Sequence, residues 1–120
     1  MALTPMDLVA AAKQRIREVG PSEVQAVLGR TLILDVREPE EYMAGHLPGA
    51  INIPRGVVEF RIETHPAFQG KKDADIIVYC QSGLRSALAT DILQQLGWSG
   101  TVSMAGGFKA WSEGGLPVSS

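Results

Sequence analysis

Cysteine is nearly absent: the 120 residues contain one, Cys80. One cysteine cannot close an intrachain disulfide. With only two histidines beside it, His46 and His65, the chain has too few soft ligands for a structural zinc site. A free thiol in such a chain points to a reducing compartment. Long apolar runs are also missing. Ile76 to Cys80 is of strand length, far short of the roughly 20 residues a spanning helix needs. The first residues, Met1 to Ala12, show no basic stretch followed by an apolar block and a cleavage site. The expectation is a cytoplasmic protein without membrane contact. No excess of one charge exists either: 11 basic and 13 acidic residues leave a formal charge of -2. That balance argues against a nucleic-acid partner, which calls for a basic face. Repeats and low-complexity stretches are lacking. With 45% hydrophobic and 20% charged residues, disorder is excluded and a single globular domain is expected.

The pattern along the chain alternates between helix and strand signals. Thr4-Pro5-Met6-Asp7 starts a helix: a capping hydroxyl, a proline at the first position, an acid in the first turn. Leu8, Ala12, Ile16 and Val19 recur at helical spacing, and Gly20 ends it. Ser22 and Gln25 have capping-box spacing for a second helix that Gly29 stops. Thr31 to Val36 is nearly all apolar, as a strand buried on both faces is. Arg37 to Ala44 reads as a short helix, Ala50 to Ile53 as a short strand, and Val57 to Phe68 as a helical turn followed by a loop. Ile76 to Tyr79 is a strong strand. Cys80 to Arg85 reads as a loop and Ser86 to Leu96 as a helix, with Leu84, Leu88, Ile92 and Leu96 as its apolar stripe. Thr101 to Met104 is a strand, and Phe108 to Glu113 a last short helix. The fold class is α/β, with a mostly parallel central sheet and helices on both faces. Residues 1–20 read as an N-terminal helical extension and 21–120 as one compact domain.

One place carries chemistry. Cys80 follows a strand and precedes a loop and a helix, where open α/β sheets bind ligands. Backbone N–H groups in a loop closing onto a helix N-terminus converge into an anion cradle. The helix dipole and Arg85 add positive charge. Each favours thiolate over thiol and makes Cys80 a nucleophile near neutral pH. Gly83 lets the loop adopt a backbone conformation other residues resist.

Three stretches together resemble the rhodanese family of sulfurtransferases in its single-domain form. The first runs from Leu34-Asp35-Val36-Arg37-Glu38-Pro39 through Tyr42 to Gly45-His46-Leu47-Pro48-Gly49 and Ile53-Pro54. The second is Cys80-Gln81-Ser82-Gly83-Leu84-Arg85-Ser86. The third is Gly106-Gly107-Phe108, with Trp111 and Gly115-Leu116-Pro117. The resemblance spans Ser22 to Val118. It implies a rhodanese-like domain that moves a sulfane sulfur from a donor such as thiosulfate to a thiol or cyanide acceptor through a persulfide on Cys80. It implies no cofactor or metal. A protein thiol is a further candidate partner. Gln81, Ser82, Gly83, Leu84, Arg85 and Ser86 would form the binding loop. Related phosphatases have one more residue between cysteine and arginine, a ring wide enough for a tetrahedral oxyanion; the four residues here leave room for one sulfur.

Two other functions share the fold: a sulfur-carrier or regulatory module with low turnover, and a cysteine phosphatase or arsenate reductase. The shorter loop and the lack of a second cysteine weigh against the last. Among the remaining residues, Asp35 and Arg37 read mainly as loop-holding partners with a share in the site wall. Arg55 is a candidate for the pocket mouth, where it would attract an anionic donor. Glu38, Glu40 and Glu41 read as a solvated helix face, His46 as ordering its turn, His65 as an exposed loop residue, and Trp98 and Trp111 as packing residues.

Overall fold

A computed structural model describes residues 2–120. Its five strands are β1 (Glu18–Val19), β2 (Leu32–Asp35), β3 (Ile51–Asn52), β4 (Ile76–Tyr79) and β5 (Thr101–Met104), and its six helices are α1 (Pro5–Arg15), α2 (Pro21–Val27), α3 (Pro39–Ala44), α4 (Val58–Arg61), α5 (Leu84–Gln95) and α6 (Gly107–Glu113). All strand pairs are parallel and the order is β1-β5-β4-β2-β3. β4, the strand that ends at the cysteine, is therefore central.

Strand alternation divides the interior into two cores. Leu34, Val36, Ile76, Val78 and Cys80 face one side, where they pack with Val58, Ile62, Ala89, Leu93 and Trp98. Ile33, Ile77, Tyr79 and Met104 face the other, against Val24, Leu47 and Trp111. The α4–α5 side thus receives the thiol, and the α2–α6 side receives its strand neighbour Tyr79. Burying a side chain such as Leu34 or Leu93 stabilises the fold by roughly 1.5–3 kcal/mol.

The local signals hold with several corrections. Thr4 caps α1: its Oγ1 accepts from the Asp7 N–H at 3.1 Å, and Asp7 accepts from the Thr4 N–H at 2.8 Å. The helix stops at Arg15 rather than near Gly20. Glu18 and Val19 instead form an edge strand against Ser103 and Met104, which satisfies backbone groups of β5 and buries Val19. α1 lies along α5, where Arg15 forks onto Asp91 at 3.0 and 2.7 Å. At α2 the Gly20 N–H donates to Glu23 Oε1 at 3.2 Å, and the expected box between Ser22 and Gln25 does not form. A single turn of 3-10 helix, Arg55–Val57, leads into α4. On α5 the expected leucine stripe is not the buried one. Leu84 and Leu96 are exposed, and Ser86, Ala87, Ala89, Thr90 and Leu93 are buried. A helix covered by the sheet and by α1 needs small side chains at its closest approaches, and α5 supplies them.

Candidate active site around Cys80

β4 delivers Cys80 to the carboxyl edge of the sheet, and the chain turns back at once into α5. Gly83 makes that turn possible. It sits at φ +96°, and a Cβ there would come within 3.2 Å of the Gly106 nitrogen. The helix begins at Leu84, two residues earlier than the spacing suggests. Its first-turn amides therefore belong to the loop.

The sulfur is fully buried. The Gly83 N–H donates to Sγ at 3.1 Å and the Ser86 N–H at 3.3 Å. The Ser86 hydroxyl lies 3.5 Å from Sγ. Behind it, Ser103 of β5 places its own hydroxyl 2.9 Å from that of Ser86, and both serines are fully buried. Two amides and a hydroxyl thus converge on one atom. The N–H groups of Gln81, Ser82, Leu84 and Arg85 make no hydrogen bond among the described residues.

Two ion pairs flank the loop. On the α6 side, Arg37 is 2% exposed and Asp35 is fully buried. Arg37 Nε donates to Asp35 at 3.1 Å and Nη2 at 2.8 Å, and Nη2 also reaches the Gly45 carbonyl at 2.7 Å. Its Nη1 reaches Gln81 Oε1 at 3.4 Å. The guanidinium lies 4.4 Å from the centre of the Phe108 ring. Tyr79 donates to Asp35 at 2.6 Å and accepts the Leu47 N–H at 3.1 Å. Burial, reinforced by the Asp35 charge, pushes the Tyr79 hydroxyl well above its ordinary range, so it stays a donor. Asn52 clamps the Asp35 and Arg37 carbonyls at 2.9 Å each. Asp35 and Arg37 therefore brace the loop through Gln81 without touching the sulfur.

On the outer side, Arg85 forks onto Glu41 of α3, at 2.8 and 3.0 Å. This overturns the reading of Glu41 as merely a solvated face residue. The Arg85 hydrogen bonds hold the Glu41 carboxyl down at about 2, and burial opposes that shift. Glu41 in turn raises the hold of Arg85 on its proton. The charge of Arg85 is consequently shared with a carboxylate and does not act on the sulfur alone. Helix α6 closes the loop from above: the Phe108 N–H donates to the Cys80 carbonyl at 2.8 Å and the Lys109 N–H to the Gln81 carbonyl at 3.0 Å. Only glycine fits at the contact. A Cβ on Gly107 would lie 2.5 Å from the Cys80 carbonyl oxygen. Beside Gln81 a cavity of about 330 Å³ opens, lined among others by Arg37, Glu41, Phe108 and Lys109.

The structure does not bring every candidate together. Ser82 is exposed at the loop tip, and Leu84 is exposed beside it. Arg55 follows β3, two strands from β4, and its Nη1 lies 3.4 Å from Glu59. No hydrogen bond joins it to the Cys80 loop among the described residues. His46 is stacked on Tyr42 and shares a 2.9 Å hydrogen bond with the Tyr42 carbonyl. The described residues include no cluster of three or more metal-ligating side chains, and no helix long and apolar enough to cross a membrane.

Residues 20–114 match the model of the rhodanese-like domain. The chain belongs to the rhodanese-like family. Among curated relatives, thiosulfate sulfurtransferase 16 of Arabidopsis thaliana is 39% identical, over 82% of this chain and 92% of its own length. The thiosulfate:glutathione sulfurtransferase of Homo sapiens is 36% identical, over 71% of this chain and 82% of its own. Among solved structures, a Rhodopseudomonas palustris protein of unknown function, described as a possible tyrosine phosphatase, superposes with a TM-score of 0.89. It is 29% identical and the match covers 99% of this chain and 96% of that one. The rhodanese-like relatives support the sulfurtransferase class for this domain.

By sequence alone Ser103 has no place at the site, Glu41 reads as a helix-face residue, and Gly107 belongs to the third stretch with its contact to the Cys80 loop unseen. Alternation offered a signal for the first: Thr101 and Ser103 are polar at every second position of a buried strand. Spacing offers none for Glu41, whose partner is 44 residues away.

Proposed function

We propose that this rhodanese-like domain transfers a sulfane sulfur from a donor such as thiosulfate to a thiol or cyanide acceptor, with the sulfur held on Cys80. The observation that carries this reading is the convergence of Gly83 N–H, Ser86 N–H and the Ser86 hydroxyl on a single buried sulfur. In the first step the Cys80 thiolate attacks the outer sulfur of thiosulfate. A sulfur–sulfur bond forms to Cys80, and the bond to the sulfonate sulfur breaks. Sulfite leaves with the bonding pair. In the second step the acceptor thiolate or cyanide attacks the outer sulfur, and the Cys80 thiolate leaves with its pair. No external oxidant or reductant enters.

The loop suits that cycle. The persulfide extends Cys80 by one sulfur, and it is this outer sulfur that the acceptor attacks. The open amides of Gln81, Ser82, Leu84 and Arg85 suit the negative charge on that outer sulfur. Arg85, anchored by Glu41, sets the first turn of α5 and offers charge to an anionic donor. The name of the human relative supports a small thiol such as glutathione as acceptor class.

The test is thiosulfate-to-cyanide transfer and aryl phosphate hydrolysis, measured on the same sample of wild type and Cys80→Ser. The expected result is sulfur transfer by the wild type alone and no phosphate release by either. Cysteine-dependent phosphate release without sulfur transfer would instead favour the phosphatase reading.

A further inference from the structure

The mechanism above uses Ser86 and leaves Ser103 unexplained. Ser103 lies on the α5 side of β5, beside Val78 of β4 in register, on the face that carries the core of Leu34, Val36, Val78 and Leu93. Its hydroxyl is fully buried, and among the described residues its one side-chain partner is Ser86 Oγ, at 2.9 Å. A hydroxyl taken out of water without full use of its hydrogen-bonding capacity is costly. An alanine would fill the place without that cost.

We propose that Ser103 is a positioning residue that aims the Ser86 hydroxyl at Cys80 and so favours the thiolate; the proposal rests on the reading of Cys80 as the nucleophile. The argument is a count of hydrogens. Each serine has one to donate. With the sulfur as a thiol, three hydrogens share the two links of the chain, so one of them, the S–H or the Ser103 hydrogen, has no acceptor within it. With the sulfur as a thiolate, Ser103 donates to Ser86 and Ser86 donates to Sγ. Both hydrogens are then used. The chain Ser103–Ser86–Cys80 is satisfied only in the charged state. The thiolate it favours is the attacking species of the first step and the leaving group of the second. Reversing the two rotors moves no proton off either serine.

The experiment is the rate of Cys80 alkylation by iodoacetamide at neutral pH in wild type, Ser103→Ala, Ser86→Ala and the double variant, with thermal unfolding as a check on folding. Ser86→Ala loses a hydrogen bond to the charged sulfur and should be slower by about 10- to 150-fold, and Ser103→Ala loses the hydroxyl–hydroxyl bond behind it and should be slower by about 2- to 12-fold. Because Ser103 acts through Ser86, the double variant should react no more slowly than Ser86→Ala alone. Ser103→Thr keeps the hydroxyl and should stay within about 2-fold of wild type, since only the lost hydrogen bond carries the predicted effect; Ser103→Val, of threonine's shape without the hydroxyl, should be slow like alanine and decides the matter if Ser103→Ala does not fold. A Ser103→Ala rate equal to wild type, full additivity of the two losses, or a threonine variant as slow as alanine overturns the proposal. Alkylation needs no sulfur donor. Coupled serines in a protein that transfers no sulfur would sink the sulfurtransferase reading and leave the relay standing, and the reverse result would do the opposite.

Discussion

Two arginine–carboxylate forks flank the same loop, and their surroundings assign them different work. Arg37 and Asp35 are 2% and 0% exposed, whereas Arg85 and Glu41 are 36% and 34% exposed. The inner guanidinium is spent on Asp35, Gly45, Gln81 and the Phe108 face. Burial works against its charge, and the hydrogen bonds and charge of Asp35 outweigh that and bind its proton more firmly. Among the described residues the outer guanidinium is hydrogen-bonded to Glu41 alone, and it is 36% exposed. A buried pair cannot be half removed without stranding a charge, while an exposed pair is worth little to stability. The inner fork is therefore a brace, and the outer fork is an adjustable stay on the first turn of α5.

Breaking the inner fork gives the largest effect. Arg37→Ala leaves Asp35 buried and unpaired, and it should cost about 3–5 kcal/mol in chemical denaturation. A loss below ~1 kcal/mol, the range of exposed pairs, would erase the distinction between the two forks. Arg85→Lys comes next and should separate function from stability. Lysine keeps the charge but cannot fork onto Glu41. Sulfur transfer should fall by about 10-fold, less than the ~100-fold that a 1 Å misplacement can cause. The denaturation midpoint should hardly move. Unchanged activity would make the outer fork a bystander.

The smallest effect is a pH dependence. The Arg85 hydrogen bonds depress the Glu41 carboxyl from 4.5 to about 2. A depressed carboxyl contributes stability above its unfolded value and loses it as pH falls through its folded value. The wild type should thus be slightly more stable than Glu41→Gln above about pH 4.5, and the gap in thermal midpoint should close towards pH 2. A gap that stays constant across that window would show that the charge of Glu41 contributes nothing.

The contrast also explains what was legible in advance. Ile76 to Tyr79 is legible to its boundaries because an uninterrupted apolar run says that both faces are covered, and Thr101 to Met104 is legible as a short strand despite its two polar residues. The strand, Cys80, Gly83 and Arg85 were equally plain, because one local stretch holds them. Asp35 and Arg37 are two residues apart and could be read as holding neighbouring loops. Glu41 could not be placed on Arg85, since an acid on a short helix has the same pattern whether it meets water or a distant guanidinium. The edge strand Glu18–Val19 was hidden for a related reason: its two residues continue a helical spacing, and only the free edge of β5 selects the extended form. Ser103 is in sequence one residue of the strand Thr101 to Met104, and only the fold sets it behind Ser86.

The central claim is that the loop holds a single sulfur on Cys80. The direct measurement is the intact mass of the folded protein after incubation with thiosulfate and rapid desalting, for wild type and Cys80→Ser. The wild type should gain the mass of one sulfur atom, lose it on addition of cyanide or excess thiol, and the serine variant should gain nothing. A wild-type mass that does not change, or a gain that survives in Cys80→Ser, would contradict the account.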